Sequence, residues 1–236
     1  MNKCMFHDCV VNGKPLATYG GAALLDYSIG ETEVSPATFH GVNRTNFNLL
    51  RNFFGLRDIA LTIVFEAEDL RQAKLNRSAL NGALFGKSEI FIPDDGFYYD
   101  VICTSTGAEE LIGIGNRSAQ IKSLYQFSGI RHDALKTVTL PVGKTIYCLS
   151  TMPVTDCRLT ASPIVAGTNY QLGGAIFHNV NVGDLLVFDG IEGKITQNGE
   201  NAAATVSWLE FPKLTPGPNM IQCVDPITVE YYPTFI

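Results

Sequence analysis

Two short segments hold most of the side chains that could do chemistry. Cys4-Met5-Phe6-His7-Asp8-Cys9 sets two thiols, an imidazole and a carboxylate within six residues. Zinc accepts such donors, but a tetrahedral site draws on a second ligand pair further along the chain, and none follows at a matching spacing. The segment reads instead as an N-terminal strand with Cys and Phe turned inward. Arg131-His132-Asp133 could orient an imidazole as a general base. Its nucleophile is missing: there is no Gly-x-Ser-x-Gly elbow and no Cys–His pair with a recognisable signature. A charged triplet without those companions reads as a hinge or an interface.

The other candidates carry less. Glu109-Glu110 and Asp94-Asp95 are adjacent carboxylates, and neighbours on a strand point to opposite faces, so neither pair is set up as general acid and base. Both read as solvated turn or edge charges. Gly113-Ile114-Gly115-Asn116 lacks the following helix that a dinucleotide loop requires. Cys148 and Cys157 could oppose each other across two strands, but cytoplasmic assembly argues for free thiols. Trp208, the only tryptophan, could stack on a sugar ring; in an alternating strand it is expected to fill a core. The expectation is a protein without catalytic, cofactor-binding or metal-binding residues, and not an enzyme.

The elements that would position these residues are mostly strands. At 236 residues the chain fits one large domain or two of roughly 100–130 residues. Ile59-Ala60-Leu61-Thr62-Ile63-Val64-Phe65 is an apolar, β-branched run that predicts a strand. From about Asp69 to Phe85 the period changes: Leu70, Ala73, Leu80 and Leu84 fall within an arc of roughly 80°, which predicts an amphipathic helix. Asp69 is its N-cap and Gly86 its stop, with Arg77 snorkelling from the apolar stripe. Glu89–Pro93 and Phe97–Thr104 flank Asp94-Asp95-Gly96, a hairpin signal. Ile121–Phe127 is a further strand, and Ser128–Asp133 interrupts the pattern. A domain boundary is expected between about 130 and 145, giving domains 1–138 and 139–236.

Beyond the boundary come short β runs separated by turn signals, the spacing of a small β-sandwich. The apolar alternation slips between Trp208 and Leu209, as a bulge would make it. Ile227, Val229 and Tyr231 alternate with Thr228, Glu230 and Tyr232. With the Pro216-Gly217-Pro218-Asn219 turn before them, they predict a closing β-hairpin. Between Ser28 and Leu56 the periodic apolar positions are few, and a connection that long is functional or disordered. It reads as an extended arm that packs on something else.

Composition excludes several classes. No apolar run approaches the roughly 20 residues of a membrane helix, and Met1-Asn2-Lys3-Cys4 lacks the layout of a signal peptide, so folding in a cytoplasm is expected. The six cysteines are sparse and read as thiols, several buried. Seventeen basic against 23 acidic side chains give a net charge of −6 without a basic stripe, which argues against sequence-specific nucleic-acid binding. A mean hydropathy of +0.11 hints at apolar surface covered by partner subunits.

Several stretches resemble one family, the distal tail (Dit) proteins of long-tailed, siphovirus-type bacteriophages. Leu24-Leu25-Asp26-Tyr27-Ser28-Ile29-Gly30 resembles its opening element, and Gly55-Leu56-Arg57-Asp58-Ile59-Ala60-Leu61-Thr62 the return of its long arm into the first sheet. Asp95-Gly96-Phe97-Tyr98-Tyr99 and Phe127–Asp133 are similar to the middle and exit of its ring-forming domain. Asp189-Gly190-Ile191, Asn198-Gly199 and Phe211-Pro212-Lys213-Leu214-Thr215-Pro216-Gly217-Pro218-Asn219 are similar to its C-terminal galectin-like sandwich. The resemblance spans nearly the whole chain.

It implies a mainly β fold: an N-terminal β-sandwich or split-barrel ring domain with one α-helix and an extended arm, then a galectin-like β-sandwich. It also implies a structural virion protein, six copies of which form a ring at the tail tip that joins the tube to the tip or baseplate and host-adhesion apparatus. The implied partners are the tail tube protein, tail-tip or tail-associated proteins, and receptor-binding or baseplate proteins. DNA would pass through the ring without specific binding, and no membrane is involved. The candidate interface residues lie on the arm: Ile29, Val34, Phe39, Asn43, Phe47, Leu49 and Phe53. The alternative is a carbohydrate-binding, galectin-like host-recognition module in the C-terminal half.

Overall fold

The computed structural model describes residues 6–40, 47–114 and 118–236, except the side chains at positions 40, 47, 48 and 114. The chain is mainly β with a single α-helix among the described residues. It divides into two compact units, Met1–Arg131 with Ile236, and His132–Phe235. The second unit begins ahead of the boundary expected at 138/139, because Lys136–Leu140 pairs along its length with Ile227–Tyr231.

In the first unit the strand Arg57–Ala67 organises a curled sheet. Ile59, Leu61, Ile63 and Phe65 alternate into the core and are fully buried, the period-2 pattern of a strand with one wet face. Ala22–Ile29 pairs on one side of it and Ala119–His132 on the other. Phe97–Ser105, Lys87–Ile92, Val10–Val11 and Lys14–Pro15 extend the sheet. The α-helix Leu70–Ala83 starts where expected, with the Asp69 side chain accepting from the Gln72 N–H at 2.7 Å. Its Ala73, Leu80 and the adjoining Leu84 enter the same core as Phe65, Tyr99 and Tyr125. Arg77 does snorkel: its guanidinium donates to the carbonyl oxygens of Thr106 and Gly107 at 3.2 and 2.8 Å.

The pattern does not break at Ser128–Asp133. The strand Ala119–His132 runs through it, with Gly129 paired to Arg57. Gly129 is there for closeness: a Cβ would stand 2.3 Å from the Asp100 carbonyl oxygen.

The second unit is a β-sandwich. One sheet runs Lys136–Leu140, Ile227–Tyr231, Thr155–Ala161, Leu186–Asp189, Lys194–Gln197, Glu200–Asn201. Two smaller sheets, Thr145–Cys148 with Gly217–Met220, and Gly167–Leu172 with Ala175–Val180 and Val206–Trp208, complete it. Leu159, Phe188, Val229 and Tyr231 share one core with Ile146, Tyr170, Leu172 and Phe177.

Three expectations are corrected here. The ending is not a hairpin: Gly217–Met220 pairs with Thr145–Cys148, and Ile227–Tyr231 lies between Lys136–Leu140 and Thr155–Ala161. Asn219 instead closes a local loop on itself, its amide donating to the carbonyl oxygens of Thr215 and Gly217 at 2.7 and 2.9 Å. Between Trp208 and Leu209 there is no bulge, because the strand ends at Trp208. Trp208 is also not core. It pairs with the buried Ala175 on the edge strand of a three-stranded sheet, so its ring is covered from one side only and stays 39% exposed.

Candidate functional site

The chemistry-bearing residues take up structural contacts. Cys4 lies outside the described residues. His7 Nδ1 meets Asp94 Oδ2 at 2.5 Å and the ring stands edge-on to Tyr27, while Cys9 is buried, which pushes its thiol up to about 12. In Arg131-His132-Asp133 the side chains go to different places. Arg131 Nη2 donates to the Ile236 carbonyl oxygen at 2.9 Å and sits over the Phe97 ring. The buried His132 ring meets Tyr232 edge-on at 5.0 Å. The Asp133 carboxylate accepts from the Ala134 N–H at 2.8 Å and so caps its own loop.

The paired carboxylates are also split. Glu109 binds Lys74 at 2.7 Å and Glu110 binds Lys122 at 2.8 Å. Asp94 holds His7, and Asp95 accepts from the Tyr99 hydroxyl. Gly113 and Ile114 belong to the strand Glu109–Ile114; Gly115 and Asn116 lie outside the described residues. Cys148 and Cys157 are buried free thiols. No helix among the described residues is long and apolar enough to cross a membrane.

The feature that stands out is the segment read as an arm. It is an antiparallel hairpin of Val34–His40 and Phe47–Phe54, which forms a two-stranded sheet of its own. Val34 faces Phe54, Ser35 faces Phe53 and Ala37 faces Arg51; then Thr38 faces Leu49, which leaves Leu50 as the bulged residue. The bulge shifts the alternation, and Pro36 has no N–H to donate, so the apolar residues follow no single strand period. That is why the sequence looks unpatterned here.

Both faces of this ribbon carry apolar side chains in solvent. Phe39 is 58% exposed and Leu50 67%, and Val34, Leu49 and Phe53 are also exposed. Arg51 lies over the Phe53 ring at 4.1 Å, a cation–π contact on one face. An isolated two-stranded hairpin is marginal in water, and its open edges invite another chain. A ribbon that is apolar on both faces is therefore suited to being covered.

The root of the hairpin is built firmly. The Gly30 N–H donates to the Asp58 carbonyl oxygen at 2.7 Å and the Gly55 N–H to that of Glu33 at 2.8 Å. Arg57 is 2% exposed and its guanidinium donates to the Gly30 carbonyl oxygen and to Thr32 Oγ1, each at 3.1 Å. Burial, with Arg131 nearby, draws its pKa below the ordinary arginine value. Arg57 carried no signal as a functional residue in the sequence.

Of the seven expected interface residues, Val34, Phe39, Leu49 and Phe53 lie exposed on the ribbon. Phe47 is in its second strand, with its side chain outside the described residues, and Asn43 lies outside them altogether. Ile29 is elsewhere: it pairs with Ile59 in the main sheet and packs half-buried against the core.

No protein-family model matches the sequence, nor does any curated protein by sequence comparison. Solved structures do match. The SPP1 Dit protein, described as a paradigm of the hub adsorption apparatus in phages infecting Gram-positive bacteria, superposes with a TM-score of 0.67 at 13% identity, covering 98% of this chain and 100% of that one. A chain of the phage p2 baseplate in its activated conformation with Sr gives 0.56 at 9% identity, over 92% and 91%. A chain of that baseplate with Ca gives 0.57 at 10%, over 97% and 98%. The chain has the fold of these phage hub and baseplate proteins.

Proposed function

We propose that this chain is a structural subunit of the distal end of a phage tail, six copies closing a ring that joins the tail tube to the tip or baseplate. The observation that carries the reading is the fold shared with SPP1 Dit along nearly the whole of both chains. The exposed hairpin supports it independently. A closed ring needs a heterologous interface, in which one patch on each subunit meets a different patch on the next. The ribbon Val34–Phe54 supplies one such patch, and strand addition along its open edges would provide main-chain hydrogen bonds.

On this reading one side of the ring meets the tail tube protein. The other meets tail-tip or tail-associated proteins and the receptor-binding or baseplate proteins. DNA passes through without specific binding, in keeping with a net charge of −6. The protein works in the virion at the tail tip and is made in the bacterial host cytoplasm. Its role is mechanical and not catalytic.

Native mass spectrometry tests the reading. The expected mass is that of six 25.7 kDa subunits; a monomer that persists at high concentration overturns it. Replacing residues 34–54 with a short Gly-Ser turn between Glu33 and Gly55 is expected to leave a folded monomer. The cut keeps Ile29, which the main sheet needs.

A further inference from the structure

The ribbon Val34–Phe54 differs from the rest of the chain in charge. It contains no Asp or Glu, while Arg44 and Arg51 are basic, in a protein whose net charge is −6. Arg44 lies outside the described residues. Arg51 is exposed, lies over the Phe53 ring and forms no ion pair among the described residues. A surface that is basic and apolar on both faces is complemented by one that is apolar and acidic.

The first unit carries such a surface. A groove of about 440 Å³ lies where Phe6–Cys9 meets Ala22–Ile29, lined by Phe6, Ala23, Leu24 and Pro93 together with the exposed Asp8. Main-chain bonds fix its walls: the His7 N–H donates to the Leu24 carbonyl oxygen at 2.9 Å, and the Leu16 N–H to that of Cys9 at 2.8 Å. Phe6 nevertheless stays 54% exposed. Carboxylates gather beside it. Asp94 is taken up by His7 and Asp95 by the Tyr99 hydroxyl, but Asp8 and Asp26 enter no ion pair among the described residues. Lys14 stands near them, next to Pro15 of the lining. The field is negative all the same: the Tyr27 hydroxyl, on a ring edge-on to His7, has its pKa raised by burial and then by Asp94 and Asp95. Anionic lipid and nucleic acid are unsuited to this groove, because their phosphates would meet carboxylates.

We infer that the groove is the seat of the neighbouring subunit's ribbon, whose apolar side chains cover Phe6 and Pro93 while Arg51 faces Asp8. The inference rests on ring formation and names the second patch that a ring requires. The root of the ribbon at Gly30 and the groove at Leu24 lie toward opposite ends of Ala22–Ile29. One subunit therefore presents two different patches, as a heterologous contact demands. Apolar burial supplies the adhesion, and the charge pair selects the partner and its register.

A charge swap tests the contact, because each interface of a ring brings position 51 of one copy to position 8 of the next. The full-length parent, Asp8→Arg, Arg51→Glu and the double variant are compared by sedimentation over a dilution series. Each single substitution is expected to weaken association at least tenfold with thermal melting unchanged, and the double variant to return within about threefold of the parent. A hexameric parent that neither substitution weakens overturns this contact and leaves the ring standing. A double variant as weak as the singles overturns the pairing of Arg51 with Asp8. A monomeric parent overturns the ring, and the contact with it.

Discussion

Arg57 and Gly30 are joined by a 3.1 Å hydrogen bond in which the guanidinium Nη1 donates to the carbonyl oxygen at the root of the exposed hairpin. The same side chain reaches Thr32. A buried cation thus fixes the point at which the chain leaves the main sheet, and the ribbon beyond it starts from a rigid base.

Replacing Arg57 with Met keeps bulk and removes both bonds. Hydrogen bonds to charged groups are worth about 1.5–3 kcal/mol, so Arg57→Met is expected to lower stability by about 2–4 kcal/mol in urea unfolding. Hydrogen exchange along Val34–Phe54 should quicken as the root loosens. An unchanged midpoint would contradict the anchoring role.

Surface substitutions on the ribbon should separate assembly from folding. Phe39→Ser with Leu50→Lys touches only exposed side chains, so stability should move by less than about 0.5 kcal/mol. Association should weaken at least tenfold, about 1.4 kcal/mol. Sedimentation of the double variant beside the parent measures this; equal oligomer populations would show that the ribbon is not the contact.

Asp184 accepts from the Asn181 backbone N–H at 2.8 Å and from the side chains of Asn198 and Gln197 at 2.9 and 2.8 Å. The Asn181 N–H first, then these amides, hold its carboxyl below the usual aspartate range. Because the folded pKa is depressed, the charged form contributes stability above the ordinary value of about 3.9 and loses it as pH falls through the lower folded value. Melting temperature should therefore drop on acidification below about pH 4. Asp184→Asn should melt lower at neutral pH and show a shallower acid drop; parallel curves for the two proteins would refute this.

Gly129→Ala tests the close approach inside the first sheet. The new Cβ would fall 2.3 Å from the Asp100 carbonyl oxygen and 2.7 Å from Val101 Cγ1. Backbone cannot yield as a flexible side chain does, so a loss of about 1–3 kcal/mol is expected from overpacking. Chemical denaturation reads it directly, and a neutral result would mean that the strands part without penalty.

What the sequence discloses is what is local. Ile59 to Phe65 announces its strand because alternate residues share one buried face, and Asp69 announces the helix because its cap is three residues from its partner. Gly129 misleads because its reason, Asp100, lies on another strand; in isolation a glycine after Ser128 looks like a break. Trp208 misleads because its register is inward while its strand is an edge, and edge position is a property of the sheet. The hairpin is the hardest to read. Val34, Phe39, Leu49, Leu50 and Phe53 are all exposed among the described residues, so no buried face marks a period, and the Leu50 bulge shifts what alternation remains. For the same reason Ile29 looks like part of the arm when Ile59, thirty residues on, claims it for the sheet.

The position of Ile227–Tyr231, between Lys136–Leu140 and Thr155–Ala161, has a consequence for biosynthesis. Both flanking strands emerge from the ribosome well before the strand that separates them. At 5–20 residues per second, the stretch from Ala161 to Ile227 takes roughly 3–13 s to translate. During that time two sheet edges wait unpaired, while the first unit already has nearly all of its chain. Nascent chains that stall in this window would carry a nearly complete first unit, still without Ile236, and an open second one. They would be marked for proteolysis or aggregation by their naked edges before they could poison an assembly.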